Sequence, residues 1–182
     1  MSIHIVLFHN NLRLSDNPAL VAAAAAGDEV LPVYILDDAL GRPLGAAARW
    51  WLHHSLARLD ESLRGIGVPL TFCRGNALEN IAALIHETGA SKVFLQHGYD
   101  AGVQVFEKDL CQWAAAHAVQ VHCTDGQVLF PPEGIRTQQG KPYIVFSPYW
   151  RACLSQPDFD APLAAPTRLP QLRKKPTSLA LE

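Results

Sequence analysis

This 182-residue chain is more easily bounded by what it lacks than by what it contains. Its four cysteines, Cys73, Cys111, Cys123 and Cys153, form no C-x-x-C pair and are too scattered for a dense disulfide frame. That excludes a stapled secreted mini-domain and favours reduced thiols in a cytoplasmic setting. Long apolar runs are missing: the longest, Ala19 to Ala26, is mostly alanine and far too short to cross a bilayer. No basic-then-apolar segment opens the chain, so neither secretion nor a membrane partner is expected. A basic excess is missing too. With 15 Lys and Arg against 17 Asp and Glu, the formal net charge of −2 gives duplex DNA little counterion release to exploit. Finally, the loop after the first apolar run, His9 to Asp16, contains no glycine. A G-x-G-x-x-G turn is therefore absent there, which argues against a nicotinamide-dinucleotide enzyme. There is no internal repeat.

What is present alternates. Apolar runs of strand length recur at Ile3–Phe8, Val30–Leu36, Pro69–Cys73, Lys92–Leu95 and Val119–Cys123. Helical periodicity fills the gaps. Asn17 to Ala26 opens with Asp16 or Asn17 as cap and Pro18 in the first turn, and ends at Gly27. Ala48, Leu52, Leu56, Leu59 and Leu63, joined by Trp51 and Ser55, line one face of a second helix broken by Gly65 and Gly67. Asn76 and Glu79 form a capping box for a third, with Ile81, Leu84 and Ile85 inward and Gly89 at its end; Val103 to Ala115 makes a fourth. Continuous apolar strands separated by helices predict an α/β fold, a doubly wound, Rossmann-like five-stranded parallel sheet with helices on both faces.

The pattern changes after Cys123. Ile135 to Thr137 and Tyr143 to Val145 suggest a hairpin or a long folded-back loop, and Tyr143, Val145, Phe146, Tyr149 and Trp150 concentrate apolar and aromatic area outside the alternating core. From Gln156 onward five prolines and little periodicity read as a linker. The expected division is an α/β domain over 1–155 and a Pro-rich linker over 156–182.

Two segments carry a resemblance. Leu12-Arg13-Leu14-Ser15-Asp16-Asn17-Pro18-Ala19-Leu20 and Lys141-Pro142-Tyr143-Ile144-Val145-Phe146-Ser147-Pro148-Tyr149 resemble, in order and spacing, the L-R-L-x-D-N-P-A-L and K-P-Y-x-V-F-[ST]-P-[FY] motifs of the DNA photolyase and cryptochrome family. Leu31 to Asp37, the run from Arg49 to Leu56 and the Arg74-Gly75-Asn76 turn add further matches. The resemblance implies an N-terminal antenna-type domain of a light-dependent enzyme that splits pyrimidine dimers. FAD would lie in a separate C-terminal helical domain, which would be this chain's partner and its link to damaged DNA. The alternatives are a cryptochrome-like blue-light receptor without repair, or an autonomous nucleotide-binding regulatory domain. This chain alone is expected to be catalytically inactive, with no catalytic residue and no metal, and to self-associate through the stretch from Tyr143 to Trp150.

An α/β sheet binds ligands beyond the carboxyl ends of its strands. With the resemblance, this places a chromophore pocket at His9, Asn10, Ile35, Leu36, Arg49, Leu52, Gly98 and Asp100. The chromophores used among relatives are methenyltetrahydrofolate, 8-hydroxydeazaflavin and flavin mononucleotide (FMN). Departures from the family pattern change the expectation. His9 and Asn11 stand where relatives carry Arg and Asp, and Gly98 and Gly102 replace a carboxylate and an aromatic. The pocket is therefore expected to be empty or to hold its chromophore loosely. The adjacent His53 and His54 point about 100° apart on a helix and do not suit one metal ion. Arg13 reads as a loop brace, and Asp37 and Asp38 as a solvated loop.

Overall fold

The five apolar runs form strands because each side of the sheet has its own helices to bury it. A computed structural model describes residues 2–25, 27–156, 161–173 and 176–181. Strands β1 (Ile3–Phe8), β2 (Glu29–Leu36), β3 (Thr71–Arg74), β4 (Lys92–Gln96) and β5 (Gln120–Thr124) pair in parallel in the order β3-β2-β1-β4-β5. Helices α1 (Pro18–Ala25), α2 (Ala46–Gly65), α3 (Ala77–Thr88) and α4 (Ala101–Ala116) make the crossovers. Along each central strand successive side chains enter opposite layers. Ile5, Leu7, Leu31, Val33, Ile35, Val93 and Leu95 pack on α3 and α4 residues such as Ile81, Leu84, Phe106 and Leu110. Val6, Phe8, Val30, Tyr34 and Phe94 pack on Leu20, Leu56, Leu59 and Leu63 from α1 and α2. The expected doubly wound sheet is what forms. No helix among the described residues is long and apolar enough to cross a membrane.

The caps follow the local chemistry. Asn17 Oδ1 accepts from the Leu20 amide at 3.1 Å to start α1, whose expected end at Ala26 lies outside the described residues. Asn76 Oδ1 accepts from the Glu79 amide at 3.0 Å, and Gly89 closes α3 in the left-handed region at φ 74°.

Beyond β5 the structure chooses between the two readings of residues 135–145. No strand forms there among the described residues; a tight turn instead joins the Thr137 amide to the Lys141 carbonyl at 2.9 Å, with Gly140 at φ 73°. A fifth helix, α5 (Phe146–Leu154), then appears where no helix is expected from the sequence. Pro148 sits in its first turn, where a missing amide hydrogen costs nothing. Its Cys153 is buried, while Phe146, Trp150 and Leu154 form an outward stripe, 70%, 49% and 66% exposed.

The proline-rich end lies against the domain. Its residues 157–160, 174–175 and 182 are outside the described set. Leu169 is 1% exposed and joins the Leu63 side of the core, with its amide donating to the Ile66 carbonyl at 2.8 Å. Arg173 pairs with the buried Glu29 at 3.3 Å. On the outer edge of β3 the Leu179 amide donates to the Phe72 carbonyl at 2.9 Å, and the Phe72 amide donates to Ser178 Oγ at 3.0 Å. A strand edge that would otherwise offer free backbone groups is thereby covered.

Candidate functional site

Strand order reverses direction at β1: the chain steps to β2 on one side and to β4 on the other. The loops leaving these strands part, and a crevice opens at their carboxyl ends. A cleft of about 600 Å³ lies there, a size suited to a small organic ligand. Its floor and walls come from the β1 loop (His9 to Arg13), the end of β2 and its loop (Tyr34 to Asp38, then Leu40, Gly41, Arg42 and Leu44), and the first turns of α2 (Ala48, Trp51, Leu52, Ser55); Asp100 reaches in from the loop before α4.

Hydrogen bonds fix these loops. Asp37 is a double cap: Oδ1 accepts from the Ala39 amide at 2.9 Å and Oδ2 from the Ala77 amide at 2.8 Å, joining the β2 loop to the start of α3. It is thus no freely solvated carboxylate. Arg13 braces the β1 loop by donating to the Asp16 carbonyl at 2.9 Å, the Asp16 carboxylate at 3.0 Å and the Gly126 carbonyl at 3.2 Å. Asp16 itself is held at φ 50°, with its amide donating to the Leu163 carbonyl at 2.7 Å. Asn11 Oδ1 accepts from the His9 amide at 3.2 Å, but its buried Nδ2 has no partner. An unpaired buried donor in a cleft wall is a group a ligand acceptor would satisfy. Burial pushes the His9 imidazole below its ordinary pKa, against the opposing pull of Asp100 and Glu107, so the ring faces the cleft neutral at pH 7.

The structure brings six of the eight expected residues together: His9, Asn10, Ile35, Leu36, Leu52 and Asp100 all line the cleft. Arg49 does not. It is exposed on the first turn of α2, and the cleft-facing stripe of that helix passes through Ala48, Trp51, Leu52 and Ser55. Gly98 does not either, being buried behind the cleft with its amide donating to Glu107 Oε1 at 2.6 Å. Trp51, expected on the core stripe, is 70% exposed at the cleft rim. It also borders a shallower groove of about 390 Å³ shared with Trp50, His54 and Arg58. Spacing alone does not separate the two roles: Ala48, Trp51 and Ser55 share a helix face with the core residues, and their place on the first turns of α2 sets them over the cleft.

Gly102 does not loosen the site. A Cβ there would lie 2.4 Å from the Leu40 carbonyl oxygen, so backbone closes the space an aromatic side chain would need. Gly102→Ala is expected to destabilise the chain by about 1–3 kcal/mol despite the better helix propensity of alanine. Urea denaturation checks this; a variant as stable as the parent would show that the Leu40 loop yields freely.

Comparison with known proteins agrees with this geometry. The family model described as DNA photolyase matches residues 4–170. Deoxyribodipyrimidine photo-lyase of Agrobacterium fabrum is 42% identical over 165 residues, covering 91% of this chain and 34% of that protein. Cryptochrome-2 of Arabidopsis thaliana is 37% identical over 169 residues, covering 91% of this chain and 27% of its own length. The crystal structure of a bacterial class III photolyase from Agrobacterium tumefaciens superposes with a TM-score of 0.95 at 39% identity, covering all of this chain and 37% of that one. The chain thus spans about a third of the length of the relatives it matches. With a family model over nearly all of the chain and a shared sheet, this chain belongs to the DNA photolyase family.

Proposed function

We propose that this chain is the light-harvesting, antenna-type α/β unit of a photolyase-like flavoprotein, with its chromophore seated in the switch-point cleft. The observation that carries the reading is the cleft itself. It combines an apolar wall of Ile35, Leu36, Leu52 and Trp51 with a few polar groups, including the unpaired Asn11 Nδ2. The chromophore would supply absorption of near-ultraviolet or blue light and passage of the excitation to a flavin. The chain's own residues do the holding: Trp51 offers an aromatic face, Asn11 donates, and neutral His9 adds one donor and one acceptor. Splitting of dimers is assigned to a flavin-bearing helical domain, for which the outward stripe Phe146, Trp150 and Leu154 of α5 is the seat.

Binding by this chain is expected to be loose. The outer walls (Gly41, Arg42, Leu44, Ala48 and Trp51) are exposed, so one side of a seated chromophore stays in water. Titration with methenyltetrahydrofolate, 8-hydroxydeazaflavin and FMN, each followed by absorbance, tests this. Saturable binding of one of them is expected, with Kd of about 1–100 μM. Trp51→Ala and Leu52→Asp should weaken it at least roughly tenfold, whereas Arg49→Ala should leave it unchanged. No saturable binding, or binding indifferent to both cleft variants, would remove the cleft from the reading.

A further inference from the structure

We propose a second, separate site: a divalent-metal site for Zn²⁺ or an ion of similar softness, formed by His97, Glu107 and Cys123. The three residues come from the end of β4, the middle of α4 and β5, so one strand–helix–strand unit supplies all the ligands. Their ligand atoms lie within 4.8 Å of one another. His97 Nδ1 donates to Glu107 Oε2 at 2.6 Å, and Cys123 Sγ stands 3.9 Å from that nitrogen and 4.0 Å from that oxygen. Ligand atoms around a tetrahedral zinc ion are separated by roughly 3.3–3.8 Å, given bonds of about 2.0–2.3 Å. The sulfur is thus within a few tenths of an ångström of its place, and the His97–Glu107 contact needs to open by less than about 1 Å.

The carboxylate is held ready for this. Glu107 is 8% exposed, and its other oxygen, Oε1, accepts from the Gly98 amide at 2.6 Å, which aims Oε2 at the histidine and the thiol. That approach depends on glycine at position 98, where a Cβ would lie 2.4 Å from Val103 Cγ1. A backbone donor fixing the spare oxygen of a ligand is the kind of outer support that metal sites use. One nitrogen, one oxygen and one sulfur donor suit zinc and exclude a preference for the hard ions Mg²⁺ and Ca²⁺. Three protein ligands leave a fourth position for water on the side where Cys123 is exposed and His97 is 35% exposed. On binding, the thiol proton leaves to solvent and the His97 proton moves to Nε2, freeing Nδ1 to ligate.

The test uses the full chain with its thiols kept reduced. Zn²⁺ is titrated against a chromophoric chelator, and Co²⁺ serves as the spectroscopic probe. One Zn²⁺ per chain with Kd tighter than about 10 μM is expected, together with the visible bands of tetrahedral cobalt and a thiolate-to-cobalt charge-transfer band. Cys123→Ser should abolish the charge-transfer band and weaken Zn²⁺ at least roughly tenfold, and His97→Asn should weaken it comparably. Cys111→Ser, one turn after Glu107, should change neither. Weaker or non-stoichiometric binding by the parent, parental affinity in Cys123→Ser or His97→Asn, or an equal loss in Cys111→Ser would each overturn the assignment. Both ligand variants lie at partly exposed positions; circular dichroism of each confirms that its fold is intact, and Cys123→Ala replaces either one that is not.

Discussion

Ending the chain after Ser155 is expected to unfold the domain or leave it without fixed packing at 37 °C. Leu169 is 1% exposed and sits among Leu63, Val68 and Val30. Leu169→Ala alone should cost about 2–5 kcal/mol, because the cavity left between helix, strand and strap collapses only in part. At roughly 2–4 °C per kcal/mol for a domain of this size, the melting temperature should fall by about 4–20 °C. Truncation goes further. It rehydrates Glu29, which is tolerable, but it also uncovers the apolar edge of the α2 layer and strips the Ser178 and Leu179 hydrogen bonds from β3. β3 has only four residues and one strand neighbour, so the loss falls on the weakest part of the sheet. The total exceeds about 5 kcal/mol, comparable with the whole stability of many single domains. Calorimetry of the truncated and full chains decides. Melting within 2 °C of each other would reduce the tail to a passive linker.

That outcome bears on what sequence can report. Proline content describes how stiff a backbone is and which structures it avoids; it says nothing of what the segment lies against. Leu163, Leu169 and Leu179 were visible, but no periodicity marks a strap whose contacts are one residue at a time. The sheet was far more legible. Its strands begin and end within two residues of their apolar runs, which in β1 follows from burial on both faces, with His4 the one polar residue inside it. α5 is hard to see in sequence because nine residues give only about two and a half turns and Pro148 reads as a breaker until it is placed in the first turn. In α2 the apolar stripe is one face with two roles. The helix runs 20 residues, about 30 Å, and outreaches the strands beside it. Leu56, Leu59 and Leu63 are buried in the core, Leu52 packs against it and also lines the cleft, and Ala48 and Trp51, on the turns that overhang the sheet, become cleft wall. Nothing in sequence announced His97, Glu107 and Cys123 as neighbours. They stand 10 and 16 residues apart in no motif, and only a helix packed between two adjacent parallel strands brings them together.

Glu107 also supplies the second large effect, one that does not depend on any metal. Measured in a chelator, Glu107→Ala should lower the free energy of unfolding by about 2–4 kcal/mol, while Glu107→Gln should lower it by only about 1 kcal/mol. The difference follows from who is left without a partner. Alanine removes the acceptor of both the buried Gly98 amide and the His97 ring, at 2.6 Å each, and opens a hole on α4 beneath the β4 loop. Gly98 is buried, and Val103 fills the space where its side chain would stand, so its amide has no route to water. Its donor is therefore stranded, and a stranded buried donor carries the full desolvation cost. His97 is partly exposed and recovers some hydration, which keeps the total below that of a fully buried ion pair. Glutamine preserves the shape and keeps a carbonyl oxygen for Gly98; its NH2 then faces His97 Nδ1, which moves its proton to Nε2 and accepts, and the charge that strengthens both bonds is lost. Urea denaturation of the three proteins separates these terms. Equal stability of the alanine and glutamine variants would mean that charge, and not the rescue of Gly98, is what Glu107 contributes to the fold.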